Sequence, residues 1–122
     1  MAVGIFYGSS GGATAEVAEM IKKRLDTDAN LIDIAGASPN DFMRYSHMIL
    51  GTSTWGDGDL QVDWEEFFET FQTIDLRGKT VALFGLGDQE EYSETFLDGM
   101  GTLYMQAVKN GAHIVGDAWP AP

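Results

Sequence analysis

The stretch Tyr7-Gly8-Ser9-Ser10-Gly11-Gly12-Ala13-Thr14 joins an apolar segment, Val3 to Phe6, to a helical pattern in which apolar residues recur between Val17 and Leu25. A buried strand therefore meets a turn rich in Gly, Ser and Thr, and the turn opens a helix. Free backbone N–H groups and the positive end of the helix dipole then converge on one spot, which suits a phosphate. The same residues also suit a loop with a capped helix start, so this stretch alone leaves both interpretations open.

Composition limits the classes of protein to which the chain can belong. Its 122 residues, 44% hydrophobic and 21% charged, predict a single globular domain over residues 1–122. The absence of cysteine excludes disulfides, thiolate metal ligands and thiol catalysis, and is consistent with the cytoplasmic location that we predict. We find no apolar run of the ~18 residues that a transmembrane helix needs and no signal-peptide pattern, so membrane insertion and secretion are not expected.

The formal net charge of −12 makes nucleic acid and anionic membranes poor partners, because their phosphates would be repelled. The acidic residues are concentrated, since twelve Asp or Glu lie between Trp55 and Asp98 against only Arg77 and Lys79. Acidic runs usually just solvate a surface, but this density predicts a polarised face that would suit a basic protein surface.

Strands and helices alternate along the whole sequence. The predicted strands are Val3–Phe6, Leu31–Ile34, Ser46–Gly51, Lys79–Phe84 and His113–Val115. The predicted helices are Thr14–Leu25, a short turn from Ser38 to Tyr45, Asp63–Phe71, and Phe96–Lys109 with Asn110-Gly111 as its cap. This order favours an α/β fold with a parallel sheet and helices on both faces. Ligands bind such sheets beyond the carboxyl ends of the strands.

Two predicted loops, Thr52–Val62 and Gly85–Tyr92, each place an aromatic residue beyond a strand end. Trp55 could stack on a flat ligand or pack into the core, and Tyr92 could do the same or enter the following helix half-buried. We assign Trp64 and Trp119 to packing.

The chain resembles the flavodoxin family from Val3 to Trp119. The turn at Tyr7–Thr14 is similar to the family's FMN phosphate loop. The stretch Gly51-Thr52-Ser53-Thr54-Trp55-Gly56-Asp57 resembles the loop that carries the inner aromatic residue, and Val81 to Tyr92 resembles the loop that carries the outer one. The resemblance implies a doubly wound, three-layer α/β/α fold with strand order 2-1-3-4-5.

The resemblance also implies an FMN site. Its phosphate would be held by backbone N–H groups of Ser9 to Thr14, Trp55 and Tyr92 would cover the two faces of the ring, and the Gly56–Asp57 peptide would flip towards the flavin. Thr52 and Thr54 would line the site, and Asp88 would contact the pyrimidine edge. The complete predicted set is Ser9, Ser10, Gly11, Gly12, Ala13, Thr14, Thr52, Ser53, Thr54, Trp55, Gly56, Asp57, Gly85, Gly87, Asp88 and Tyr92.

The function implied by the resemblance is that of a low-potential one-electron carrier, with the redox chemistry on FMN. Its acidic face would dock on basic surfaces of flavodoxin reductases and acceptor enzymes. No residue acts as a catalytic acid or base, and no metal site is predicted. His47 and His113 are expected to be structural.

Two features of the sequence depart from the family pattern. Gly11 stands where the family usually has Thr, and Ala13 where a longer polar residue is common, so the phosphate would rely more on backbone donors. Family members also continue past the position of Pro122 to a final helix, which we expect to be missing here. An uncovered apolar sheet face would favour self-association or instability.

Three alternatives remain open from the sequence. A phosphoacceptor signalling domain would need carboxylates where Tyr7-Gly8-Ser9 and Gly51-Thr52 stand. An FMN-dependent oxidoreductase acting on a quinone-type substrate would share the phosphate loop. A truncated, flavin-free domain completed by another chain would explain the missing final helix.

Overall fold

A computed structural model describes residues 2–8, 13–25, 28–55, 59–60, 62–86 and 102–115, with only the backbone described at residues 13, 53–55, 59–60, 62 and 85–86. The strands are β1 (Val3–Tyr7), β2 (Ala29–Asp33), β3 (His47–Trp55), β4 (Asp59–Leu60), β5 (Thr80–Leu86) and β6 (His113–Ile114). The helices are α1 (Ala13–Arg24), α2 (Pro39–Met43), α3 (Val62–Phe71) and α4 (residues 102–109), with a 3₁₀ turn at Ile34–Gly36.

Five strands form one parallel sheet in the order β2-β1-β3-β5-β6. Counted without the short β4, this is the predicted order 2-1-3-4-5, which is confirmed. The order reverses between β1 and β3, because the chain first adds β2 on one side of β1 and then β3 on the other. Such a reversal opens a crevice at the carboxyl ends of the two central strands.

The second strand begins and ends earlier than predicted. It covers Ala29–Asp33 rather than Leu31–Ile34, and Ile34 instead starts the 3₁₀ turn. Asp33 ends the strand because its carboxylate accepts a hydrogen bond of 3.0 Å from the N–H of Ala35. This local side-chain bond competes with the sheet ladder and favours a turn.

The predicted loops after the third and fourth strands begin too early. The segment Thr52–Val62 was expected to be loop, but β3 runs on to Trp55, and Asp59–Leu60 pair with it in antiparallel fashion as β4. Gly85 was likewise expected in a loop but lies in β5. The added residues of β3 and β5 pair with each other, so the ladder between β3 and β5 continues beyond the point where the ladder between β1 and β3 ends.

The larger core cluster lies between the sheet and the helices α2, α3 and α4, and it is rich in aromatic rings. Phe6 and Phe42 stack with ring centroids 4.0 Å apart, and Trp64 meets Phe71 edge to face at 5.7 Å. Trp64 is fully buried, so its predicted packing role is confirmed. A smaller cluster, which includes Ile5, Ala18 and Phe84, packs with α1.

The predicted cap of α4 is also confirmed. Gly111 has a φ of 97°, a left-handed conformation that glycine adopts without strain. Its N–H donates to Val108 O at 3.0 Å, and the N–H of Ala112 donates to Ala107 O at 3.0 Å, which is the Schellman pattern. Residues 96–101 of this predicted helix, and Trp119, lie outside the described residues.

In the described part of the chain, no helix has the length and apolar character needed to cross a bilayer.

Candidate functional site

The three predicted loops leave the sheet side by side at its carboxyl edge. Tyr7, at the end of β1, is in register with Gly51 of β3, and Gly51 is in register with Phe84 of β5. Parallel strands present their carboxyl ends at one edge, so β1, β3 and β5 all end towards the same edge of the sheet, where ligands bind in such folds. Sequence alone placed these loops after strands, and the order of the strands makes those three strands neighbours.

The turn after β1 leads into the N-terminus of a twelve-residue helix. Gly8 is buried, and its N–H donates to Gly51 O at 3.1 Å. Helix α1 begins at Ala13, so four residues, Ser9 to Gly12, separate the described part of the turn from the helix; these four lie outside the described residues. The first-turn amides of α1 have no helical acceptors and carry the positive end of the dipole.

Thr14, in the first turn of α1, is 1% exposed. Its hydroxyl has no hydrogen-bond partner among the residues that the structure describes. A buried hydroxyl without a partner costs about 1–3 kcal/mol, so such groups usually serve a ligand, an ion or water. Phosphate oxygens at the start of α1 would supply the missing acceptor. The described residues therefore fit a phosphate group.

The second predicted loop, Thr52–Val62, is β-strand over its first residues. Thr52 is fully buried in β3, and Ser53 and Thr54 continue the strand to Trp55. Trp55 is paired with Asp59 of β4, so the backbone at Trp55 is held by a short antiparallel ladder. Gly56 and Asp57 lie outside the described residues. The structure thus places the backbone of Trp55 at the carboxyl end of β3, and β3 is the strand that pairs with β1.

The third predicted loop starts from β5. Gly85 is in register with Thr52, which places the backbone of Gly85 beside a buried site residue. Gly87, Asp88 and Tyr92 lie outside the described residues, so their predicted roles stay predictions.

Among the described elements, acidic side chains lie on α3, at the end of β2 and on α1. The first turn of α3 carries Asp63 and Glu65, and Asp63 and Glu66 line a shallow groove beside the 3₁₀ turn. At the end of β1, burial raises the pKa of the Tyr7 hydroxyl, with smaller contributions from the charges of Asp33 and Glu19. Among the described residues, no group of three or more His, Asp or Glu side chains could hold a metal ion.

Sequence reasoning missed one contact at this edge. The indole Nε1 of Trp64, on α3, donates to Gly51 O at 2.7 Å, and this bond is buried. The only sequence signal was a tryptophan on the apolar face of a helix, and that signal does not identify a backbone acceptor thirteen residues earlier.

Comparison with known proteins agrees with this geometry. The sequence model of the family described as flavodoxin matches residues 5–119. Flavodoxin 1 of Escherichia coli strain K12 is 48% identical over 118 residues, covering 96% of this chain and 66% of that protein. The chain therefore spans slightly less than two thirds of the length of this relative.

Solved structures show the same likeness. A flavodoxin of Fusobacterium nucleatum bound to flavin mononucleotide superposes with a TM-score of 0.86 at 30% identity, covering 94% of this chain and 69% of that chain. Oxidised flavodoxin 2 of Bacillus cereus superposes with a TM-score of 0.85 at 34% identity, covering 95% of this chain and 80% of that chain.

Proposed function

Because this chain belongs to the flavodoxin family, we propose that it binds FMN without a covalent bond and carries single electrons between partner proteins. The observation that carries the proposal is the register of the three central strands. Tyr7, Gly51 and Phe84 are neighbours across the parallel strands β1, β3 and β5, so the segments that follow these strands start from the same edge of the sheet, with β3 and β5 extending beyond β1. A flavin needs an anchor for its phosphate and two flat surfaces for its ring, and these three segments supply them.

The phosphate is assigned to the start of α1. Its first-turn amides and dipole attract an anion, and the buried hydroxyl of Thr14 gives a side-chain donor that the described residues leave without an acceptor. Ser9 and Ser10 are proposed to add hydroxyls, and Gly11, Gly12 and Ala13 to add backbone donors. The absence of longer polar side chains at positions 11 and 13 leaves the anchor mainly to the backbone.

The ring is assigned to the segments after β3 and β5. Trp55 is proposed to cover one face and Tyr92 the other, while Thr52, Ser53 and Thr54 line the side of β3 and Gly56-Asp57, Gly85, Gly87 and Asp88 surround the ring edge. FMN itself supplies the electron-accepting chemistry when bound. The chain's part is to hold the ring between aromatic side chains, to exclude water and to place negative charge around it.

The partners are proposed to be redox proteins with basic surfaces. The chain carries a net charge of −12, and α3, the helix after β4 in the chain, carries three exposed carboxylates, Glu65, Glu66 and Glu69. Charge of one sign on this element would steer a positively charged partner towards the crevice and orient it there.

The other functions considered from the sequence receive less support. A phosphoacceptor domain needs a carboxylate cluster for Mg²⁺, and the positions where those carboxylates would stand carry Tyr7, Gly8, Gly51 and Thr52 instead. A quinone-type oxidoreductase and a flavin-free domain are not favoured, since the similar proteins described above are flavodoxins.

Reconstitution with flavins tests the proposal directly. The full chain is freed of flavin, and FMN, riboflavin and FAD are titrated separately while flavin fluorescence is followed. We expect FMN to bind, its fluorescence to be quenched by stacking, and riboflavin to bind more weakly because it lacks the phosphate. Equal affinity for FMN and riboflavin would contradict the phosphate anchor, and no binding of any flavin would overturn the proposed function.

The same experiment includes a measurement of the mass of the chain in solution. A dimer would double the mass, and sedimentation with and without FMN measures it.

A further inference from the structure

We propose that Trp64 is a positioning residue of the flavin site, which ties the start of the phosphate turn at Gly8 to β3 through the carbonyl of Gly51. This inference rests on the proposed function, because it assigns a residue to the FMN site that the sequence placed in the core.

The contact lies where two site segments separate. Up to Gly51, β3 is paired with β1 on one side and with β5 on the other. Beyond Gly51 the ladder with β1 ends, while β3 continues, paired with β5 at Thr52 and Ser53 and with β4 at Thr54 and Trp55. Gly51 O, which accepts the N–H of Gly8, joins the two segments at the point where the β1–β3 ladder ends.

Two donors meet at this carbonyl. The N–H of Gly8, the residue with which the phosphate turn begins, donates at 3.1 Å, and Nε1 of Trp64 donates at 2.7 Å. A backbone carbonyl has two lone pairs, so these two bonds use its full capacity. The direction of the carbonyl, and with it the peptide that leads into Thr52, is fixed from the side of α3 as well as from β1.

The surroundings of Trp64 make it a firm anchor. Its side chain is fully buried, with Phe67 and Phe71 packed edge to face at centroid distances of 6.3 and 5.7 Å. Gly51 is held equally closely, because a Cβ at this position would overlap the ring of Phe84. Neither end of the hydrogen bond can move without disturbing a packed ring.

Packing alone would not require a tryptophan at position 64. A phenylalanine would fill most of the same volume and keep the aromatic neighbours, but it has no N–H. If Trp64 acts through its hydrogen bond, loss of the N–H frees the Gly51 carbonyl and loosens the spacing between the phosphate turn and Trp55. FMN, which must reach both, would then bind less tightly.

The experiment compares Trp64→Phe with Leu76→Ala in the full chain. Leu76 is fully buried in the same core cluster but precedes β5, at the opposite edge of the sheet, so its loss destabilises the fold without touching Gly51. For each apo protein we measure the free energy of unfolding by urea, hydrogen exchange of the Gly8 amide, and the Kd for FMN under conditions in which the protein is folded.

We expect Trp64→Phe to weaken FMN binding by about three- to tenfold, the range for loss of one buried hydrogen bond. The Gly8 amide should exchange faster than in the original chain, while amides inside β1 such as that of Ile5 change only with global stability. Leu76→Ala should lower the free energy of unfolding and leave the FMN Kd unchanged.

Three results would overturn the inference. Unchanged FMN affinity in Trp64→Phe would show that the N–H has no part in the site. Equal loss of affinity in Leu76→Ala would assign the effect to stability. Weaker binding without faster exchange at Gly8 would place the effect away from the Gly51 carbonyl. If the original chain itself binds no FMN, the proposed function fails and this inference with it, an outcome that the first titration separates from the other three.

Discussion

The ring of Phe84 fills the volume into which a side chain at Gly51 would project. The two residues are opposite each other in the ladder between β3 and β5, and a Cβ built on Gly51 would overlap the ring atoms of Phe84. The glycine is therefore required by a tertiary contact, since it lies inside a strand and has no positive φ. Its carbonyl also holds Gly8 and Trp64, so the contact fixes the centre of the proposed FMN site.

We predict that Gly51→Ala destabilises the fold. The added methyl group must displace a buried ring, and overpacking of this kind costs about 1–3 kcal/mol. Urea unfolding of the apo protein measures the change. Gly36→Ala is the matched control, because a Cβ at Gly36 would meet no atom within 4 Å, and its effect should stay within about 0.5 kcal/mol. Restoration of part of the stability by a second change, Phe84→Leu, would identify the ring as the cause. A Gly51→Ala protein as stable as the control would refute the contact.

Thr14→Val is expected to weaken FMN binding without weakening the fold. Valine keeps the shape of threonine and removes a buried hydroxyl that has no partner among the described residues. Loss of a hydrogen bond to a charged phosphate costs about 1.5–3 kcal/mol, or about ten- to a hundredfold in Kd. Riboflavin, which has no phosphate, should bind the variant and the original chain equally. Thr80→Val, at the opposite edge of the sheet, serves as the control, and an FMN Kd unchanged by Thr14→Val would remove the hydroxyl from the site.

Trp55→Ala should change the visible spectrum and the redox midpoint potentials of bound FMN, because an aromatic ring stacked on the flavin alters its polarity and excludes water. Absorption spectra and potentiometric titration measure both quantities. Tyr104→Ala removes a partly exposed aromatic ring from α4 and should leave them unchanged. A spectrum and potentials that do not respond to Trp55→Ala would count against stacking.

Electron transfer to a basic partner should slow as salt is added. Charges on the surface are screened over about 10 Å at 0.1 M ionic strength, so steering by the carboxylates weakens. The double variant Glu65→Gln, Glu66→Gln on α3 should lower the rate at low salt and flatten its dependence on salt. Glu19→Gln, on α1, removes one carboxylate and is the comparison for each of the two single variants on α3. Stopped-flow rates that ignore ionic strength would show that the acidic face only solvates the surface.

The carboxyl of Asp75 should titrate at about 2 rather than at 3.8, since hydrogen bonds from the Arg77 side chain and backbone favour its charged form. A pKa that is lower in the folded chain means stabilisation above about pH 3.8, which is lost as the pH falls towards 2. Both side chains are exposed, so the effect on the free energy of unfolding should be small. Carbon NMR of the carboxyl follows the titration, and Arg77→Gln should return the pKa towards 3.8. A wild-type pKa near 3.8 would exclude the ion pair in solution.

Local patterns predicted most of the fold because they act over a few residues. The apolar run at Val3–Phe6, the alternation of strands and helices, and Asn110-Gly111 at the end of α4 each predicted an element that the structure contains. The predicted bounds were wrong where pairing with a residue distant in the sequence determines the secondary structure. Thr52 to Trp55 are rich in loop-forming residues, yet they are strand because β5 and β4 offer ladder partners.

The candidate site also has some features that the sequence predicted and others that only the structure shows. Sequence located its segments and, through the family resemblance, its cofactor, while the predicted location in the cytoplasm and the roles of Gly87, Asp88 and Tyr92 stay predictions. It did not reveal that Thr14 is buried without a described partner or that Trp64 donates to Gly51.

The sequence by itself determined the order of most strands and helices, and that a glycine-rich stretch precedes a helix N-terminus, because hydrophobic periodicity and turn-forming residues act locally. Only the tertiary structure decided that Gly8, Gly51 and Trp64 meet at one carbonyl, and that Gly51 must lack a side chain. These contacts join residues 13 to 43 positions apart along the chain. Their existence depends on the order of the strands and on which face each helix covers, and no short stretch of sequence encodes either of these.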